Sequence, residues 1–116
     1  MYRCMCKCKI KGGKVTDKNL YYEGSITLDK KIIDKAGLLA GEMVYVLNLN
    51  SGARIFTYVI EGKENSGIIC LNGPSARFFE KDDEIIVLSI SYLDDKELKN
   101  YKMSIVELGE NNKIKV

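Results

Sequence analysis

Met43 to Leu49 and Ala53 to Ile60 are two extended, largely alternating segments that face each other across Asn50-Ser51-Gly52. Alternation with a period of two suits a pleated strand with one buried face, and a short Asn/Ser/Gly linker lets the second strand fold back on the first. A hairpin buries its apolar face only against further strands or a helix, so this feature commits the chain to a sheet-based core.

The other segments read the same way. Residues 2 to 9 form a first strand, Lys11-Gly12-Gly13-Lys14 a turn, and residues 15 to 22 a second extended segment with a polar interruption. Gly24 breaks it and Ser25-Ile26-Thr27-Leu28 resumes. Asp29 is placed to cap a short helix with Ile32, Ile33 and Ala36 on one face, stopped at Gly37. Further strands are predicted at 67–71, 84–91 and 102–108, with helical turns at 75–79 and from Asp94 to Leu98, and a frayed charged tail over 109–116. Strand, short helix, turn and strand occur once from Gly24 to Leu49 and again from Ser66 to Ser91, which suggests two similar halves of a small barrel.

A chain of 116 residues with one proline suits a single domain, residues 1–116. Lys and Arg number 18 against 16 Asp and Glu, with both signs scattered, which is a solvated surface rather than a nucleic-acid footprint. The longest apolar run, Ile85 to Leu93, is too short for a membrane span, and Met1-Tyr2-Arg3-Cys4 does not start a signal peptide, so a cytoplasmic protein is expected. Cys4, Cys6 and Cys8 alternate on one strand face, a poor match to the spacing of structural zinc ligands, and Cys70 is remote; free thiols and no metal are expected. Histidine is absent, which excludes a Ser-His-Asp triad, a Cys-His pair and imidazole ligands.

Chemistry must then come from Lys, Tyr, Ser, Thr, a carboxylate or an added group. Lys9, Glu23-Gly24-Ser25, Gly52-Ala53-Arg54, Thr57-Tyr58, Asn72-Gly73 and Ala76-Arg77 each have an ordinary structural use: Gly-Ser and Asn-Gly are turns, Arg54 a solvated hairpin residue, Thr and Tyr strand formers. Together, in this order and spacing, they closely resemble the aspartate decarboxylase family, the small pyruvoyl-dependent enzymes that make β-alanine. The resemblance runs from Lys9 to about Tyr101.

The resemblance implies a mainly β fold, a six-stranded double-psi β-barrel with short helices. It implies that the Gly24–Ser25 bond breaks, giving pieces 1–24 and 25–116, and that Ser25 becomes a covalent pyruvoyl group. Amino-acid decarboxylation needs such an electron sink, which no ordinary side chain supplies. Ser25 and Tyr58 are then the catalytic residues, Tyr58 as the acid. Gly24, Ser25 and Thr57 serve self-cleavage, Thr57 as an oxyanion donor. Lys9, Arg54, Thr57, Asn72, Gly73, Pro74 and Ser75 form the substrate-binding set, with the guanidinium fork of Arg54 suited to the carboxylate that is retained.

L-Aspartate is the implied substrate and β-alanine for pantothenate the implied product. The implied assembly is a homotetramer with active sites at subunit interfaces, with room for a maturation factor. Lys11 stands where the family commonly has histidine, and Pro74 and Ser75 where it commonly has small alanines. Two other readings use the same residues: glutamate as substrate, one methylene longer, and a binding barrel without catalysis.

Overall fold

Alternating hydrophobicity turns nearly half of the chain into extended backbone, and the computed structural model, which describes residues 1–116, contains eight strands. They are β1 Arg3–Lys14, β2 Asp17–Asn19, β3 Ser25–Asp29, β4 Met43–Asn48, β5 Arg54–Gly62, β6 Ile69–Asn72, β7 Glu84–Leu93 and β8 Ser104–Glu107. Two helices, α1 Lys30–Ala36 and α2 Asp95–Leu98, and two 3-10 turns, Gly73–Phe78 and Glu110–Asn112, connect them. The strands form one sheet in the order β2-β6-β3-β5-β4-β7-β1-β8.

Only Val15 and Thr16 separate β1 from β2, yet β2 is one edge of the sheet and β1 lies next to the other. Three residue steps reach at most about 11 Å, so the sheet must roll until its two sides approach each other. The crossing is held on both flanks: Val15 N–H donates to Asp83 O and Thr16 N–H to Ile69 O.

Partner exchange along single strands produces the rolling. β5 pairs antiparallel with β4 through Tyr58 and then parallel with β3 from Val59 to Gly62. β1 pairs antiparallel with β7, and its continuation β2 pairs parallel with β6. β3 faces β6 and β4 faces β7, both antiparallel, so β3, β4 and β5 correspond to β6, β7 and the β1–β2 stretch.

The expected six strands are therefore eight. The break at Val15–Thr16 splits one strand into β1 and β2, and β8 adds a parallel edge along β1. The turn expected at 11–14 is instead part of β1: Gly12, at φ +83°, forms a bulge that shifts the register between Ile10 and Gly13. Of residues 15 to 22 only Asp17–Asn19 pair as a strand. The tail is not frayed. Leu108 bridges Ile114, and the buried Asn112 side chain bonds Lys14 N–H, Lys14 O and Gly67 O.

Nineteen buried residues form one core, among them Val15, Ile26, Leu28, Val44, Val46 and Leu71, each inaccessible to solvent. A full burial of this kind contributes roughly 1.5–3 kcal/mol per side chain. Helix α1, at seven residues, is too short to hold alone and is fastened through Ile32, Ile33 and Ala36. Asp29 caps it, accepting from Lys31 N–H, and also receives Asn65 and Gly67 N–H, which ties the helix to the loop before β6. No helix is long and apolar enough to cross a membrane.

Candidate active site

On the antiparallel β3–β6 pair, Ser25 lies opposite Asn72 and Thr27 opposite Cys70. Their neighbours Ile26, Leu28, Ile69 and Leu71 point into the core, so these four polar side chains share the other face of the pair. They remain covered: Ser25 is fully buried and Asn72 is 4% exposed. Asn72 Nδ2 donates to Ser25 Oγ and to Thr27 Oγ1, both at 2.9 Å, while its Oδ1 accepts from the Cys70 thiol at 3.3 Å. The Ser25 hydroxyl donates to Glu23 O at 3.4 Å, the long end of a hydrogen bond.

Gly73 shapes the backbone beside this block. It sits at φ +68°, and a side chain there would strike Tyr22 O and the backbone of Gly24. Glycine is thus required twice over, by conformation and by the close approach of residues 22–24. Pro74 Cδ lies 3.7 Å from where a side chain on Gly24 would begin, and half-buried Ser75 follows in the 3-10 turn. Gly24, Ser25, Asn72, Gly73 and Pro74 are therefore one cluster.

β5 adds the next pair. Ile26 opens the parallel β3–β5 ladder opposite Val59, so Ser25 and Tyr58 are the residues just before that first pair, while Gly24 lies in a bend outside the ladder. Thr57 is buried beside its partner Val44, while Tyr58 is half-buried on the outward face with Phe56 and Arg54. Arg54 is four residues from Tyr58, about 13 Å along the strand. Its guanidinium carbon stands 5.7 Å from the Tyr45 ring centre, within cation–π range.

Lys9 belongs to the same outward face but is farther off. It is opposite Leu88, which is opposite Tyr45, which is opposite Phe56. Neither Lys9 nor Arg54 joins any of the five ion pairs. One chain thus brings Gly24, Ser25, Asn72 and Gly73 together and leaves both cations at a distance from Ser25, on a face that exposes Met43, Phe56 and Ile105.

The cysteines divide by environment. Burial raises the pKa of Cys8, and burial together with the Asp17 carboxylate raises that of Cys70. No group of three or more His, Cys, Asp or Glu converges on a metal position. A cavity of about 590 Å³ lies between α1 and residues 111–116, and one of about 470 Å³ lies beside Lys18, Tyr21 and Arg77. Neither is lined by Ser25.

Sequence reasoning did not assign Thr27 or Cys70 to the site. Each is two residues from an assigned residue, Ser25 or Asn72, in a segment read as extended, so shared strand parity was the available signal.

A family model described as aspartate decarboxylase matches residues 1–115. The chain is 50% identical to the aspartate 1-decarboxylase of Thermoanaerobacter pseudethanolicus over 113 residues, 97% of each chain. It is 48% identical to that of Clostridium botulinum over 96% of this chain and 90% of the relative. It is 43% identical to that of Bacillus subtilis over 98% of this chain and 90% of the relative.

Proposed function

Because the chain belongs to the aspartate decarboxylase family, we propose that it converts L-aspartate to β-alanine and carbon dioxide, after cutting itself between Gly24 and Ser25. The observation that carries this reading is the buried Ser25 hydroxyl, gripped by Asn72 one residue after a glycine that Gly73 packs against.

In the cut, Ser25 Oγ adds to the Gly24 carbonyl carbon, the C–N bond breaks, and an ester joins the two residues while the Ser25 amine takes up the proton. Thr57, two residues before Val59 on β5, is the donor for the transient oxyanion; removing one such donor typically costs about 3 kcal/mol in barrier. Loss of the Ser25 Cα proton then expels Oγ from Cβ as part of the Gly24 carboxylate. The Asn72 N–H is already aimed at Oγ, where that charge develops. Water replaces ammonia at residue 25, leaving a pyruvoyl group and the pieces 1–24 and 25–116.

Ser25 is fully buried with the Asn72 amide 2.9 Å from its hydroxyl, so the residues around it could hold a ketone formed there. That group supplies the electron sink for the charge left as carbon dioxide departs. Arg54 and Lys9 hold the carboxylate that stays. Leaving the departing carboxylate unpaired avoids stabilising the ground state as much as the transition state. Tyr58, beside residue 25 on the neighbouring strand, returns the proton. Asn72, Gly73, Pro74 and Ser75 line the substrate's other side.

The separation of Lys9 and Arg54 from Ser25, and the apolar outward face they share, support a homotetramer in which a neighbouring subunit completes each site. The matched strand triplets support a double-psi β-barrel, with β8 added at its edge. The product feeds pantothenate synthesis in the cytoplasm, and a maturation factor is compatible with so enclosed a bond.

The test is the denatured mass of the purified chain after warm incubation. Two fragments dividing at Gly24–Ser25, the larger lighter by one ammonia than a plain Ser25-initiated fragment, are expected, together with β-alanine formation from aspartate. Ser25→Ala should stay whole and inactive. A cleaved, active Ser25→Ala protein would sink the mechanism.

A further inference from the structure

Asn72 makes three side-chain contacts, and only two of them reach the cleavage strand. The third returns to its own strand, from the Cys70 thiol to Oδ1. A carboxamide has two ends of nearly equal size and opposite function. Turned over, Asn72 would present a carbonyl oxygen to Ser25 Oγ, and the oxygen that must leave with negative charge would meet a lone pair instead of an N–H.

The hydroxyls of Ser25 and Thr27 decide little between the two orientations, because each can donate or accept and the bond that turns the Ser25 hydrogen toward Glu23 O is long, at 3.4 Å. Cys70 can decide. It is 8% exposed, and its thiol stays protonated because burial and Asp17 raise its pKa. An S–H is a weak donor that suits a carbonyl, whereas neutral sulfur accepts an N–H poorly. The favoured arrangement puts Oδ1 on the thiol and both Nδ2 hydrogens on the two hydroxyls.

We infer that Cys70 is a positioning residue for self-cleavage: by donating to Asn72 Oδ1 it keeps the Asn72 amide hydrogen on Ser25 Oγ. Cys70 touches neither Gly24 nor Ser25 and acts through Asn72 alone. The inference rests on the reading of Gly24–Ser25 as the cleaved bond.

The experiment compares wild type, Cys70→Ala and Cys70→Ser, each purified as the whole chain. Cleavage is followed by mass, the Asn72 side-chain amide by hydrogen exchange in NMR, and folding by urea denaturation. Cys70→Ala should cleave roughly tenfold more slowly, the rate equivalent of one lost hydrogen bond, with faster exchange at the Asn72 amide. Cys70→Ser keeps an O–H donor and should return both within about threefold of wild type.

Wild-type cleavage by Cys70→Ala overturns the proposal. So does a Cys70→Ser protein as slow as the alanine variant, since packing rather than the donor would then matter. If no version is cut at Gly24–Ser25 while Asn72 exchange still depends on residue 70, the orienting bond is upheld and the cleavage reading is overturned.

Discussion

At residue 73 a single methyl group has nowhere to go. Alanine there must occupy the left-handed region, at a cost of about 1–2 kcal/mol, and its Cβ would push on Tyr22 O and Gly24. Gly73→Ala should therefore lower the urea stability by about that amount and slow self-cleavage by more than tenfold, as the Gly24 carbonyl is displaced from Ser25 Oγ. A mass time course beside a urea titration checks both, and unchanged cleavage would show that the Gly73–Gly24 contact does not set the geometry. Singly, Gly24, Ser25, Asn72 and Gly73 read as ordinary turn and strand residues; only their order and spacing, shared with the family, grouped them, and the fold brings these four together. Thr27 and Cys70 were not legible: their meeting with Ser25 and Asn72 depends on the β3–β6 register, which no local stretch encodes.

At the scale of elements, local signals worked where an element is stabilised locally. The β4–β5 hairpin, the Asp29-capped α1 and the Asp94-capped α2, which closes a capping box with Glu97, all lie where alternation and caps put them. The elements that local patterns misread are held from far away. Gly12 resembles a turn residue until Leu108 packs against it, and residues 109–116 look like a charged fray until Asn112 reaches Lys14, nearly a hundred positions upstream. The Asn112 amide answers the part-buried Lys14 N–H and two carbonyls, of which that of Gly67 is buried. Asn112→Ala leaves them unpaired and should cost about 2–3 kcal/mol, read as a lower urea midpoint. Amide exchange should also quicken at Lys14; no change there would mean that the tail is held by Leu108 and Ile114 alone.

At the scale of the whole molecule, Asp83 joins distant parts of the roll. Its carboxylate accepts from Asn48 at the end of β4 and from Glu80 N–H, while its backbone carbonyl holds Val15 at the β1–β2 crossing. Glu80 N–H and then Asn48 hold its pKa below the ordinary aspartate value. A depressed carboxylate contributes stability that is complete above its unfolded pKa and is lost as the pH falls through the lower folded value. Stability should therefore decline on acidification below about pH 4, and Asp83→Asn should show a shallower decline in urea midpoints across that range. An identical acid limb would assign the loss to other carboxylates, such as Glu107 beside Lys115.

The place of β1 and β2 has a consequence for the molecule's lifetime. Both precede Gly24, yet β1 runs between β7 and β8, and β2 is bonded to β6. If the bond after Gly24 is cut as proposed, this piece would stay paired in the sheet as a guest with no covalent tether. The uncut chain would refold each subunit as one body, without waiting for a second piece. A cut protein could refold only by collision of its two pieces, so its melting point should fall on dilution, and a molecule that opens in a crowded cell would compete for its own missing piece. Such a cut would thus exchange reversible folding for persistence that depends on never coming apart.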